Sequence, residues 1–133
     1  MASMQKLGLL LGAFGAAGLA APIAAEVSEL AMLDTLQPGM WEIRQRSDGS
    51  RRNICVRNGR DLIQLQHRQT GCTQFVVQDD AQEVTVQYTC RGDGYGRTTI
   101  RKEGSALVQL QSQGSQGGGP FALAGEARRT GPC

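Results

Sequence analysis

Histidine is all but missing from this chain: His67 is the only one in 133 residues. Hydrolysis through a serine or cysteine nucleophile needs a base of suitable pKa, most often His. His67 lies in the polar run Leu65-Gln66-His67-Arg68-Gln69, which reads as solvated surface and not as a catalytic site. An excess of one charge is also missing. Fourteen Lys and Arg against twelve Asp and Glu leave +2, too little for a general nucleic-acid binder. Aromatics are six in all, so any core must be small and built around Trp41.

Other chemistry is excluded by spacing. Gly114, Gly117, Gly118 and Gly119 are not followed by Gly-Lys-Ser/Thr, so they form no phosphate loop. Asp79-Asp80 are adjacent, and Asp93 sits in Arg91-Gly92-Asp93-Gly94; both read as turns, without the spaced acids of a calcium loop. No catalytic residue, cofactor or metal is assigned, and an enzyme of unrecognised type stays open.

A run long enough to cross a bilayer is lacking as well. Residues 7–21 carry no charged or strongly polar side chain, but they are rich in Gly and Ala. A spanning helix wants roughly 20 residues of greater hydrophobicity. Lys6 before this run, with Ala20-Ala21 and Ala24-Ala25 after it, is the layout of a secretory signal peptide over residues 1–25. Cleavage after Ala25 is the first choice; Ala20 and Ala21 are the alternatives. The remaining part is close to neutral and has no transmembrane anchor, so the expected location is periplasmic.

All four cysteines follow that segment. The gaps between Cys55, Cys72, Cys90 and Cys133 are 17, 18 and 43 residues, with no Cys-x-x-Cys pair. A zinc site or a redox pair wants closer spacing; an even number in an oxidising compartment reads as two disulfides. Three pairings are possible. A hairpin about Asp79-Asp80-Ala81-Gln82 would place Cys72 opposite Cys90, leaving Cys55 for Cys133. This pairing is the expectation, although parity opposes it: Cys90 shares a face with Val84, Val86 and Tyr88, whereas Cys72 is opposite in parity to Phe75 and Val77 unless a bulge intervenes.

Alternation governs the rest. Residues 26–37 form a leader or one short helix, ended by Pro38-Gly39. Trp41 and Ile43 then face one way and Glu42, Arg44 and Arg46 the other, which predicts a half-buried strand. Residues 51–56 return after a turn at Ser47-Asp48-Gly49-Ser50. Residues 58–66 fit a two-turn helix or a strand. From residue 73 the pattern is β, interrupted by turns and by a mobile Gly/Ser/Gln loop at 112–120. The prediction is a mostly β domain over residues 38–133, bordering on α+β. It is an antiparallel meander of about seven strands, as a curved sheet or partly closed barrel, with one short helix. Trp41, Ile43, Phe75, Val86, Tyr88 and Phe121 are the expected core.

The stretch Leu36-Gln37-Pro38-Gly39-Met40-Trp41-Glu42-Ile43 resembles the L-x-P-G-x-W-E opening of a bacterial exported family, domain of unknown function 3617. Cys55-Val56, Cys72 and Thr89-Cys90 resemble its cysteine positions, and Ala127-Arg128-Arg129-Thr130-Gly131-Pro132-Cys133 resembles its closing A-R-R-x-G-x-C. The resemblance implies a β-rich periplasmic domain and no activity. Arg57-Asn58-Gly59 departs from the Thr-Pro-Glu-like helix start of relatives, which weakens a helix at 58–66.

The expected function is a non-enzymatic binding module for a small apolar ligand or an envelope partner. The alternative is a structural or stress-related envelope protein without a ligand. Arg44, Arg46, Arg51 and Arg52, on neighbouring strands, are the candidate anion or partner surface, because arginine forks grip carboxylate and phosphate. The ordinary reading of the same residues is a solubilising strand face. Sequencing of the mature protein should place its N-terminus between Ala21 and Glu26; full-length protein in the cytoplasm of its host would contradict the export reading.

Overall fold

The computed structural model describes residues 15, 18–22 and 29–133. The export signal expected at residues 1–25 and the start of the 26–37 leader fall almost entirely outside the described residues.

Seven antiparallel strands form one sheet that is not closed. They are β1 (Gly39–Gln45), β2 (Arg51–Val56), β3 (Thr73–Asp79), β4 (Glu83–Cys90), β5 (Gly94–Gly104), β6 (Leu107–Gln116) and β7 (Gly119–Gly131). Their order across the sheet is β2-β1-β7-β6-β5-β4-β3. Five strands therefore run as a meander, while the β1–β2 hairpin attaches to the last strand. The mobile loop expected at 112–120 is instead a continuation of β6 and β7 around Gly117 and Gly118. Their φ angles of 56° and 83° are what a two-residue hairpin turn needs and what glycine adopts without steric cost.

Alternation sorts the side chains onto two faces. Trp41, Ile43, Ile54, Val56, Val84, Val86, Tyr88, Ile100, Val108, Leu110 and Ala127 are buried on the inner face. Residues 57–72 cross that face from β2 to β3, and Leu62, Ile63 and Leu65 fill it. Each large side chain buried this way contributes about 2 kcal/mol. A four-residue helix α1 (Ala31–Asp34) adds Met32 and Leu33, with Leu30 and Leu36 buried on either side. Leu30 has φ 60°, a left-handed conformation costing about 1–2 kcal/mol for a non-glycine residue. Its amide donates to Asp79 Oδ2 at 3.0 Å, which holds the conformation and ties the leader to the end of β3. The stretch at 58–66 is neither an α-helix nor a strand. It opens as a 3-10 turn, Gly59–Leu62, whose N-terminus is capped by reciprocal Asn58 and Asp61 bonds.

Phe75 corrects the core expected from the sequence. It is 70 % exposed, and Val77 is also exposed, because they occupy the outer face of edge strand β3. Val76 is the β3 residue that packs inward, opposite Val86. Cys72 shares the parity of Val76, so it meets Cys90 without a bulge between Cys72 and Phe75. The bulge in this strand lies further on, between Val76 and Gln78. Phe121 is half-buried and not fully in the core.

Cys72 is bonded to Cys90 with Cα atoms 4.3 Å apart, and Cys55 to Cys133 at 5.6 Å. The second bridge spans 78 residues, for which loss of unfolded-chain entropy corresponds to about 4.5 kcal/mol. Replacing Cys55 and Cys133 by Ser should lower unfolding stability in urea by roughly 3–4 kcal/mol. Non-reducing peptide mapping of that variant should still return Cys72 linked to Cys90; absence of that link would refute the assigned pairing.

Candidate functional site

The inner face contains one ring that the sequence reading placed in solvent. His67 is 1 % exposed, because the crossing segment turns it under the sheet. Its Nδ1 lies 2.8 Å from the Tyr88 hydroxyl, and Nε2 lies 3.0 Å from the carbonyl oxygen of Ser115 and 3.3 Å from that of Asp93. Carbonyls only accept, so Nε2 carries the hydrogen and Nδ1 accepts from the Tyr88 O–H. The ring also meets Tyr88 and Phe121 edge-on, with centroids 5.3 and 5.6 Å away. Both nitrogens are therefore spent on structure, and among the described residues no Ser, Thr or Cys side chain hydrogen-bonds to this imidazole. Nearby, the Thr98 hydroxyl donates to the Ile63 carbonyl at 2.7 Å and lies 2.8 Å from Ser112 Oγ. These bonds pin the crossing segment to β4, β5 and β6.

The aromatic end of this cluster thins the sheet. Tyr88, Gly96, Gly114 and Phe121 stand side by side across β4 to β7. A Cβ on Gly96 would collide with the Tyr88 ring, so glycine is required there for the ring to lie flat over the strand. On the outer face above these glycines is a groove of about 410 Å³. Tyr95, Pro120 and Ala122 form its apolar wall, while the Phe121 ring faces His67 on the inner side. Gln87, Arg97 and Gln113, aligned in one cross-strand row, supply the polar floor. None of these three polar side chains makes a hydrogen bond or ion pair with another described residue. Phe75 stands at the end of the same row, opposite Gln87. The sequence reading missed Tyr95, Arg97 and Gln113 here. The available signal was their alternation with inward residues, but nothing in one strand shows which outward residues meet across three others.

The expected arginine surface is divided. Arg44 and Arg51 are cross-strand partners on the outer face. Arg51 pairs with Glu42 at 3.5 Å, and the Arg46 guanidinium donates to the Gln109 side-chain oxygen. Arg52, opposite Ile43, lies on the other side of the sheet because successive residues of a strand alternate. The four do not make one anion site, and Glu42 and Glu126 interrupt the outer three. Among the described residues no group of three or more His, Cys, Asp or Glu could hold a metal ion.

Burial pushes the Tyr88 phenol from 10.0 up to about 12, against a smaller opposing effect of its hydrogen bond to Ser112. The fold thus favours the neutral phenol. That contribution is complete below about pH 10 and is lost as pH rises through about 12. In a Tyr95→Phe variant Tyr88 is the remaining tyrosine, and ultraviolet absorbance should show it ionising near pH 12. Ionisation with a midpoint near 10 in the folded protein would contradict the buried His67–Tyr88 pair.

No curated protein and no solved structure matches the chain. A family model matches residues 36–133, the span from Leu36 before β1 to the Cys133 that bridges back to β2. Within it, Trp41 Nε1 donates to the Gln37 carbonyl at 2.9 Å, and Arg129 Nε donates to the Pro38 carbonyl at 2.8 Å, so the two ends of the matched region meet. The chain belongs to the family described as protein of unknown function (DUF3617).

Proposed function

We propose that the protein is an exported, periplasmic, non-enzymatic binding module that holds a small, largely apolar ligand in the outer-face groove. The observation that carries this reading is the groove's composition. Its volume of about 410 Å³ lies in the range of small-molecule sites, roughly 300–1,000 Å³. A tyrosine and proline wall faces three polar side chains that make no hydrogen bond or ion pair with another described residue. A few polar groups in a mostly apolar pocket are what orient a small ligand. Export is supported by the Lys6-led apolar segment and is compatible with the paired cysteines. No helix among the described residues is long and apolar enough to cross a membrane.

A second reading, a structural envelope protein without a ligand, is favoured by the filled inner face. Trp41, Ile43, Val86 and Tyr88 pack there at 2 % exposure or less, so they line no ligand cavity. Native mass spectrometry of protein isolated from its own envelope fraction separates the two. The binding reading expects a retained small-molecule mass that disappears in a Tyr95→Ser/Arg97→Gln variant of unchanged circular dichroism. Bare protein mass from both would establish the structural reading instead.

A further inference from the structure

The crossing segment, residues 57–72, carries three arginines and one acid. Arg57, Arg60, Asp61, Gln64, Arg68 and Thr70 enclose a cleft of about 220 Å³ there. Arg60 is committed: it pairs with Asp34 and donates to the Glu29 carbonyl at 2.7 Å. Asp61 is the acid of the lining, and its Oδ2 accepts the backbone N–H groups of Arg57 and Asn58 at 2.9 and 3.4 Å. Gln64 is also committed, donating to the His67 carbonyl and accepting from Gln74. The Arg57 and Arg68 guanidinium groups and the Thr70 hydroxyl make no hydrogen bond or ion pair with another described residue.

Arg52 lines a separate cleft but feels the charge of Arg68. Arg52 is held below the ordinary arginine value, first by desolvation and then by the positive charge of Arg68. Like charges brought together without a carboxylate cost free energy, and a bound anion would reverse the sign of that interaction. Guanidinium forks match the oxygens of phosphate in a bidentate way that a single ammonium does not. The cleft is separate from the outer-face groove and does not depend on the function proposed for it.

We propose that the Arg57–Arg68 cleft binds a phosphate-type oxyanion, whether that group is free or is the headgroup of an anionic lipid.

The test is a titration of the whole protein with inorganic phosphate, followed by amide NMR shifts at constant ionic strength set with sodium chloride. Saturable shifts at Arg68, Gln69 and Thr70 are expected. Affinity should fall at least about tenfold in Arg57→Gln/Arg68→Gln, the value of one charge-assisted hydrogen bond. It should hold in Arg101→Gln, which removes a cation paired elsewhere with Glu103. Sedimentation with phosphatidylglycerol vesicles, but not with phosphatidylcholine vesicles, that the same double variant abolishes would identify a lipid headgroup. Phosphate shifts without sedimentation would identify a free anion. The proposal is overturned if neither response occurs, if chloride alone reproduces it, or if the double variant leaves it intact.

Discussion

Everything else in this fold depends on the pairing of β1 with β7. The first strand cannot bury Trp41 and Ile43 until the last strand arrives, because β2, its other neighbour, is an edge. The pairing is fastened at one corner. Arg129 reaches the Pro38 carbonyl, Trp41 reaches the Gln37 carbonyl, and Cys55 is bonded to Cys133. The Arg129–Pro38 bond and the Cys55–Cys133 bridge join residues 91 and 78 positions apart, so the entropy of closing the chain is large and a covalent tie counts for most there. The two ends of the matched region, from Gln37 to Trp41 and from Arg129 to Cys133, therefore meet at this corner.

A second constraint follows from the open sheet. One face of seven strands must be covered, and the chain has little helix to cover it with. Residues 57–72 do so as an irregular ribbon, which brings buried backbone polar groups that need partners. Thr98 satisfies Ile63, and His67 fastens the ribbon to Tyr88 and to two carbonyls. A polar ring in the core is thus the consequence of covering a sheet with non-repetitive chain. Among the described residues the outer face is left uncovered where the groove and the exposed Phe75 and Tyr95 lie.

Local pattern made much of this legible. The alternation around Trp41 placed β1, and the dense alternation from residue 83 placed β4. The grouping of Arg51 with Arg52 ignored parity, since Ile54 and Val56 already mark Arg52's side as inward. Phe75 misled because hydrophobicity was taken to mean burial, although an edge strand has less sheet above and below it. The Gly-rich stretch at 112–120 misled because its composition suits both a flexible loop and a tight hairpin, and only the partner strand distinguishes them.

By itself the sequence determined what depends on neighbours along the chain: seven alternating segments, the turns between them, an even set of cysteines and the residues that mark the family. Tertiary structure alone decided which strands became edges, that the first strand meets the last, and that His67 lies inside. It also decided which side chains share a groove or a cleft. Strand periodicity specifies a face but no partner; the partner is chosen by the burial and hydrogen bonding of the whole sheet. Gln87, Arg97 and Gln113, or Arg57 and Arg68, come together by that choice.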